Sequence, residues 1–391
     1  MRIAQIAPLH EAVPPKLYGG TERVVSYLTE ELVALGHQVT LFASGDSVTS
    51  ACLHEVWPRS LRLDPAVHDV IAPHMLMMEE VRRRAEDFDV LHFHLDYWPF
   101  SMFTRQKVPF VTTLHGRLDL PELQPVFNAF REVPVVSISD AQRLPLPQAR
   151  FVATVPHGVP ENKLAPQPQI TPTYLAFLGR IAPEKGPDCA IRIARACGIP
   201  LRIAAKVDKA DQHYFDTVIR PMLNGPGVEM IGEISDRDKP AFLSGAVGLL
   251  MPIDWPEPFG LVMIEAMSCG TPVIAFNRGS VPEVIEDALT GFIVEDEAAA
   301  IAAVGYLDGL DRTTVRACFE QTFTARRMAE DYLATYSRLT AVTAAGNGAQ
   351  SRYHRVGLGS AGQIPARLIR APHRSPEQHD VPPAPQAVRA G

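Results

Sequence analysis

Short apolar runs alternate along the chain with longer segments in which apolar residues recur every three or four positions. This pattern is typical of strands alternating with amphipathic helices. Residues Arg2–Ala7 predict a strand and Thr21–Leu35 a helix, with Gly36 at the position where helices commonly end. Further strands are predicted at Val39–Ala43, Val90–His94, Val108–Leu114 and Val133–Ser137. The first part of the chain is therefore interpreted as a series of β-α units.

A proline-rich loop, Pro156–Thr173, separates this series from a second one. In the second series, strands are predicted at Tyr174–Leu178, Leu201–Ala204, Val228–Ile231, Val247–Met251, Pro272–Ala275 and Phe292–Val294. Helices are predicted between them at Pro187–Cys197, Gln212–Leu223, Lys239–Ser244, Phe259–Ser268 and Val281–Asp287. We therefore predict two domains, residues 1–165 and 166–322, followed by a closing helix over 323–340.

The alternation of strands and helices indicates an α/β fold. Parallel strands joined by helices are covered on both faces, so each half predicts a doubly wound, Rossmann-like parallel-sheet domain. Ligands of such sheets bind at the carboxyl ends of the strands. Two domains that face each other would therefore hold a ligand in the cleft between them.

The composition is that of an ordinary globular protein, with 391 residues, 46% hydrophobic and 21% charged. No apolar run reaches the ~18 residues needed to span a bilayer. The segment Met1–Glu11 lacks the pattern of a signal peptide, so a cytoplasmic protein is predicted. Five scattered cysteines without a CxxC pair argue against a disulfide framework and against a zinc site.

The net charge of −7 is unevenly distributed along the chain. The segment Ala341–Gly391 carries six Arg against two acidic residues and is rich in Ala, Gly and Pro. It has almost no apolar periodicity, so a disordered tail is predicted over 341–391. The remainder is acidic, which argues against nucleic acid as a partner, although it leaves room for a local phosphate-binding pocket.

Two glutamates frame the helix predicted after strand Val247–Met251. Glu257 precedes the helix, and Glu265 lies about two turns inside it among apolar neighbours. The free N–H groups at the helix start, near Phe259 and Gly260, would suit an anion such as phosphate. A carboxylate on so apolar a helix needs a partner, either a ligand such as a ribose diol or a buried Arg.

This segment resembles the E-x7-E signature of the family 4 retaining glycosyltransferases, which adopt the two-domain GT-B fold. Four further segments are similar to motifs of that family and occur in the family's order over about residues 1–340. They are Gly19-Gly20-Thr21-Glu22, Thr113-Leu114-His115-Gly116, the loop from Phe177 to Gly186, and Gly279 to Ile285. The resemblance therefore covers both predicted domains.

The resemblance implies a hexosyl transfer from a nucleotide-diphosphate sugar to a hydroxyl acceptor. Arg180 and Lys185 would hold the diphosphate, as a planar fork and a point charge. Glu257 would bind sugar hydroxyls beside the reacting carbon, and His115 would hydrogen-bond the donor sugar.

Further donor-binding positions follow from the same resemblance. Gly19 and Gly20, which lack a Cβ, would let the backbone approach a phosphate closely. Phe259 and Gly260 would mark the anion site at the helix start, and Glu265 would hold the ribose. The nucleotide sugar would be a co-substrate, and neither a metal nor another cofactor is expected.

Other interpretations of single features remain. His92 and His94 point to one face of a strand and, with Asp96, could resemble metal ligands, although core or acceptor-pocket histidines are more typical of a buried strand. Arg82-Arg83-Arg84 could touch anionic headgroups, or could belong to a solvated helix.

Two rival functions also remain: a non-catalytic nucleotide-sugar-binding protein, and another enzyme of the same fold such as a sugar-nucleotide epimerase or a phosphorylase. The base and sugar of the donor and the identity of the acceptor, carbohydrate, lipid-linked or small molecule, are left open.

Overall fold

The computed structural model describes residues 1–16 and 19–353, with side chains up to 342, and contains two parallel β-sheets. The first sheet has seven strands in the order β3-β2-β1-β4-β5-β6-β7. Its strands are β1 Arg2–Ile6, β2 Gln38–Ser44, β3 Cys52–Trp57, β4 Val90–Phe93, β5 Phe110–Thr113, β6 Pro134–Ser137 and β7 Arg150–Thr154. The direction of the strand order reverses at β1, which pairs with β2 on one side and with β4 on the other.

The second sheet has six strands in the order β10-β9-β8-β11-β12-β13, all parallel. Its strands are β8 Tyr174–Arg180, β9 Leu201–Lys206, β10 Val228–Gly232, β11 Ala246–Met251, β12 Val273–Phe276 and β13 Gly291–Val294. The chain passes from the first sheet to the second between Thr154 and Tyr174, and the boundary predicted at 165/166 lies in this stretch.

Helices connect the strands of both sheets. They are α1 Gly20–Ala34, α2 Ile71–Arg83, α3 Phe100–Phe103, α4 Leu123–Ala129, α5 Asp140–Arg143, α6 Pro187–Cys197, α7 Gln212–Tyr214, α8 Arg220–Leu223, α9 Lys239–Ser244, α10 Leu261–Ser268, α11 Val281–Val284, α12 Glu297–Val304, α13 Arg312–Thr322 and α14 Ala325–Tyr353. The predicted α/β class with two Rossmann-like parallel sheets is confirmed. None of the helices in the described part of the chain is both long and apolar enough to span a bilayer.

Two strands were absent from the sequence prediction, and both lie at the edges of the first sheet. They are β3 and β7, whose side chains are mostly half-buried or exposed. An edge strand has a neighbour on one side only, so it need not be continuously apolar. His54 and Glu55 interrupt the apolar pattern of β3, and β7 has an apolar run of only three residues, Phe151 to Ala153, so neither segment shows a clear strand pattern.

Two helices have bounds that differ from the predicted ones because of the local backbone conformation. The helix predicted at Phe259 begins at Leu261, because Gly260 adopts a left-handed conformation with φ 79° that no helix continues through. The helix predicted over Gln212–Leu223 is divided into α7, a π-helical segment at Phe215–Ile219 and α8, which carries Pro221 near its start.

The last helix, α14, crosses from the second domain back to the first. Thr324, just before it, bridges to Val159, and the side chains of Tyr332 and Tyr336 are buried against His92 of β4. Tyr336 hydroxyl donates to His92 Nδ1 or accepts from it at 2.7 Å. This helix therefore belongs to the packing of the amino-terminal sheet.

The closing helix predicted over 323–340 is corrected to Ala325–Tyr353. It occupies the first residues of the segment from Ala341 that the sequence assigns to the tail. The stretch AVTAAGNGAQ continues an existing helix, so its alanines extend it without the cost of a new nucleus. The remainder of the predicted tail, 354–391, lies outside the described residues.

Candidate active site

A cleft of about 610 Å³ lies between the carboxyl ends of the two sheets. Both domains line it, the first with the Gly19–Arg23 segment and four histidines, and the second with the loops after β8, β9 and β11. The histidines are His10, His94, His115 and His157. All nine site residues proposed from the sequence lie on this cleft: Gly19, Gly20, His115, Arg180, Lys185, Glu257, Phe259, Gly260 and Glu265.

The glycine turn before α1 lies against the second domain. Gly19 is the residue before α1, and a Cβ there would lie 2.8 Å from Pro15 Cβ, so the position has no room for a side chain. A Cβ on Gly20 would lie 3.7 Å from Leu261 Cδ1, at the start of α10. The N-termini of α1 and α10 therefore approach the same part of the cleft.

Arg180 ends strand β8 and is surrounded by acidic side chains. Its guanidinium donates to Asp211 at 2.7 Å and to Glu184 at 2.5 Å, and Asp208 lies at 4.0 Å. A neighbouring cation, Lys206 at the end of β9, pairs with Asp208 at 2.9 Å. Arg180, the cation expected to bind a diphosphate, is thus held in place by carboxylates. A ligand of higher negative charge could displace them.

Lys185 and Glu257 meet although they are far apart in the sequence. Lys185 follows β8, Glu257 follows β11, and Lys185 Nζ lies 2.5 Å from Glu257 Oε2. Trp255 Nε1 donates to the same carboxylate oxygen at 2.9 Å, and Lys185 Nζ stands 4.8 Å from the centre of the Trp255 ring. These contacts place a cation and a fixed carboxylate side by side on the cleft.

The turn before α10 is fixed by close backbone packing. A Cβ on Gly279, which has φ 56°, would overlap the backbone of Glu257, and the Ser280 hydroxyl donates to Phe259 O at 2.9 Å. The Phe259 ring is buried against His157, with ring centres 5.0 Å apart. The side chain of Phe259 is therefore part of the packing, and only its backbone faces the proposed anion site.

Glu265 finds a partner that the sequence did not indicate. Its Oε1 accepts a hydrogen bond from Lys239 Nζ at 2.6 Å, and both side chains are almost completely buried. The hydrogen-bonded partner is therefore a lysine from the start of α9, while the buried Arg23 of α1 interacts electrostatically with the same carboxylate. No local pattern in the sequence identifies Lys239, because it precedes Glu265 by 26 residues on another element.

His115 belongs to a chain of hydrogen bonds that reaches the last helix. With Gln5 oriented as in the structure, His94 Nε2 donates to Gln5 Oε1 at 2.8 Å. His94 Nδ1 then accepts from His115 Nε2 at 2.8 Å. Gln5 Nε2 donates to the Tyr336 hydroxyl at 3.1 Å, and this hydroxyl continues to His92.

The chain of hydrogen bonds leaves His115 Nδ1 as an acceptor without a hydrogen-bond partner among the described residues. His92 and His94, by contrast, are both hydrogen-bonded to protein, which accounts for them without a metal ion. Across the described part of the chain, no group of three or more His, Cys, Asp or Glu side chains is placed to hold a metal.

Loss of hydration keeps four buried histidines neutral. It lowers the pKa of His115 to about 3, and it lowers the pKa of His92, His94 and His157 well below the usual 6.5. Neighbouring histidines reinforce the decrease for His92, His94 and His157. Near neutral pH these side chains are therefore uncharged hydrogen-bonding groups, and they do not act as general acids in the protonated form.

We expect His157→Asn to make the stability of the protein less dependent on pH. Below about pH 6.5 the unfolded chain takes up a proton on His157 that the folded chain refuses, so acidification costs about 1.4 kcal/mol per pH unit at this residue. Urea unfolding at pH 7 and pH 5.5 measures the free energy of unfolding at the two pH values. This free energy should fall less for the variant than for the wild type, by about 1.4 kcal/mol for each pH unit below 6.5.

Two carboxyl groups act in the opposite direction in this pH experiment. Loss of hydration raises the pKa of Glu22 to about 7 and that of Asp96 to about 6, so the folded protein gains protons there on acidification. Both groups remain in the variant, so the difference between the two proteins isolates His157. If the free energy of unfolding depended on pH equally in both proteins, His157 would take up a proton in the folded protein as readily as in the unfolded chain.

Two family models match separate parts of the chain. The model described as Glycosyltransferase Family 4 matches residues 18–137, and the model described as Glycosyl transferases group 1 matches residues 161–309. The first range contains the glycine turn and His115, and the second contains Arg180, Lys185, Glu257 and Glu265. The matched ranges thus include every residue that the sequence analysis assigned to the site.

Curated relatives are similar over most of the chain. A phosphatidyl-myo-inositol mannosyltransferase of Mycobacterium leprae is 28% identical over 329 residues, 77% of this chain and 86% of the relative. A D-inositol 3-phosphate glycosyltransferase of Kribbella flavida is 27% identical, over 84% of this chain and 92% of the relative.

Solved structures share the architecture. A glycosyltransferase involved in avilamycin A biosynthesis superposes with a TM-score of 0.67 at 26% identity, covering 87% of this chain and 98% of that one. A sucrose-phosphate synthase of Thermosynechococcus elongatus superposes with a TM-score of 0.71 at 20% identity, covering 87% and 99%. The second likeness concerns the fold alone.

Proposed function

This chain belongs to the family 4 glycosyltransferases of the GT-B fold, and on that premise we propose its reaction. It transfers a hexosyl unit from a nucleotide-diphosphate sugar to a hydroxyl acceptor with retention of configuration at the reacting carbon. The second domain binds the donor and the first mainly the acceptor. The roles given below to individual side chains are part of this proposal.

The observation that carries the proposal is the contact of Lys185 with Glu257 at 2.5 Å on the cleft. A lysine next to a carboxylate, both fixed by Trp255, suits a ligand that presents a phosphate and sugar hydroxyls at neighbouring positions. Lys185 binds the phosphate, and the Glu257 carboxylate accepts hydrogen bonds from the sugar. Arg180 and the N–H groups at the start of α10 complete the surroundings of the diphosphate.

These groups favour cleavage of the bond between sugar and phosphate. Negative charge grows on the diphosphate as that bond breaks, and cations already held in place on the cleft stabilise it with little reorganisation. We infer that the acceptor hydroxyl attacks from the face on which the diphosphate leaves. A phosphate oxygen then takes the hydroxyl proton, so the step needs no protein base.

The first domain contributes the groups that meet the hexosyl unit and the acceptor. Neutral His115, whose Nδ1 has no partner among the described side chains, accepts a hydrogen bond from a donor-sugar hydroxyl. The relatives are named for acceptors that contain inositol. A hydroxylated ring is therefore the first acceptor class to test, with or without a lipid attached.

The experiment measures release of nucleoside diphosphate from UDP-, GDP- and ADP-sugars, with and without candidate acceptors. A transferase releases some diphosphate slowly by transfer to water, whereas a non-catalytic binding protein releases none. Nuclear magnetic resonance of the glycoside then reports whether the configuration at the reacting carbon is retained. Binding of sugar nucleotides without any turnover would favour the binding protein, and an altered sugar still attached to the nucleotide would favour an epimerase.

We expect Glu265→Gln to raise the donor KM more than it lowers kcat. The ribose does not change during the reaction, so a weaker grip on it affects binding in the ground state and the transition state equally. A hydrogen bond to a charged group is worth roughly 1.5–3 kcal/mol, which corresponds to an increase in KM of about 10- to 100-fold. Steady-state kinetics on folded protein checks this, and a fall in kcat with unchanged KM would contradict it.

A further inference from the structure

A chain of ion pairs that includes Glu265 connects the two domains, and its members Glu265, Lys239 and Arg23 line the cleft. Lys239 Nζ lies 2.6 Å from Glu265 Oε1 and 3.4 Å from Asp236 Oδ1. Asp236 in turn pairs with Arg23 of α1, in the first domain, and with Lys163 of the linker at 3.1 Å. Four charged side chains therefore connect the proposed ribose site to the helix that begins at the glycine turn.

The members of this chain are unusual in being so little exposed. The side chains of Glu265 and Arg23 are 4% and 7% exposed, and that of Lys239 is 9% exposed. Buried ion pairs are weak contributors to stability, since apolar residues of similar volume often serve as well. Buried charges of this kind are better explained by the geometry that they impose.

The contact with Lys239 restrains the orientation of the Glu265 carboxylate. Lys239 holds Oε1, and the carboxylate lies on the wall of the cleft. The terminal torsion of a glutamate is otherwise broad, so an unheld carboxylate would sample several orientations. A fixed carboxylate loses less conformational entropy when it accepts hydrogen bonds from a ligand.

We propose that Lys239 and Asp236 are positioning residues that orient the Glu265 carboxylate toward the hydroxyls of the nucleotide ribose. Arg23 extends the same chain to the first domain, so the grip on the ribose depends on α1 being docked against Asp236. Ribose binding and docking of α1 then strengthen each other by the same factor. This inference rests on the proposed role of Glu265 in holding the ribose.

The test compares nucleoside diphosphates with and without the 2′-hydroxyl. Calorimetry on the full-length protein gives the affinities of UDP and 2′-deoxy-UDP, and of GDP and 2′-deoxy-GDP. We expect the wild type to prefer the ribose form of its own nucleotide by about 10- to 100-fold, the range for hydrogen bonds to a charged group. Lys239→Met should reduce this preference to about threefold or less.

Lys163→Met is the matched control. It removes a cation from Asp236 without touching Glu265, and its side chain is 37% exposed. We expect this variant to keep the preference for ribose. Because the readout is a ratio of two affinities in the same protein, a general loss of stability cancels from it. If Lys239→Met proves unfolded, Asp236→Asn replaces it and should reduce the preference by at least threefold.

The outcomes separate the inference from the proposed function. If Glu265→Gln keeps the full preference, Glu265 does not hold the ribose and the proposed role itself fails. If Glu265→Gln loses it while folded Lys239→Met keeps it, the positioning role of Lys239 is overturned. Arg23→Met should lower the preference by at least threefold, and a wild-type ratio in this variant would overturn the link to α1.

Discussion

Replacing Lys185 with Ala should lower kcat about 100- to 1,000-fold, by analogy with the deletion of single oxyanion-hole donors, which costs roughly 2.7–4 kcal/mol. Lys185 is fixed between Glu257 and the Trp255 ring, so its charge needs no reorganisation when the diphosphate leaves. Arg180→Ala should have a similar effect. A cation is worth more in the transition state, where the charge on phosphate is larger, so kcat should fall more than acceptor KM rises.

Arg192→Ala is the matched control for both variants. Arg192 is also paired with two carboxylates, Asp188 and Glu297, each at 2.8 Å, but it does not line the cleft. It lies half-exposed on α6 of the same domain, so it tests for a general effect of losing a cation. We expect a kcat within about twofold of the wild type. If Lys185→Ala and Arg180→Ala remain folded with unchanged kcat, the diphosphate site is misplaced.

Gly186→Ala should disable the enzyme and destabilise the second domain. Gly186 follows Lys185 in the left-handed region, with φ 66°, and a Cβ there would overlap the carbonyl oxygen of Pro252. The loops that carry Lys185 and Glu257 would have to separate. A displacement of about 1 Å in a site can lower activity on the order of 100-fold, and the overlap adds about 1–3 kcal/mol of destabilisation.

Gly198→Ala separates the overlap from the backbone strain. Gly198 has nearly the same conformation, with φ 65°, but nothing lies within 4 Å of the position of its Cβ. The variant's free energy of unfolding should fall by only about 1–2 kcal/mol, the cost of a left-handed conformation for a residue with a side chain. Its kcat should be unchanged. Urea unfolding and donor turnover of the two variants check this. If Gly186→Ala and Gly198→Ala lost the same stability and the same turnover, the contact with Pro252 would affect neither quantity.

The alternation of strands and helices was predictable because it depends on neighbouring residues. Side chains alternate along a strand and recur every three to four residues on a helix, so each element is encoded within its own segment. Helices α6 and α9 have the bounds that the sequence predicted. The edge strands β3 and β7 were missed because an edge is defined by the absence of a neighbour, which is a property of the assembled sheet.

The sequence by itself determined the α/β class, the two series of β-α units and the short motifs that contain Arg180, Lys185 and Glu265. Only the tertiary structure decided which of these residues meet and what surrounds them. Lys185 and Glu257 are 72 positions apart and Lys239 and Glu265 are 26 apart, on different elements. Such pairs depend on how strands and helices dock, which no local periodicity encodes, so the partners of the charged groups emerged only from the folded chain.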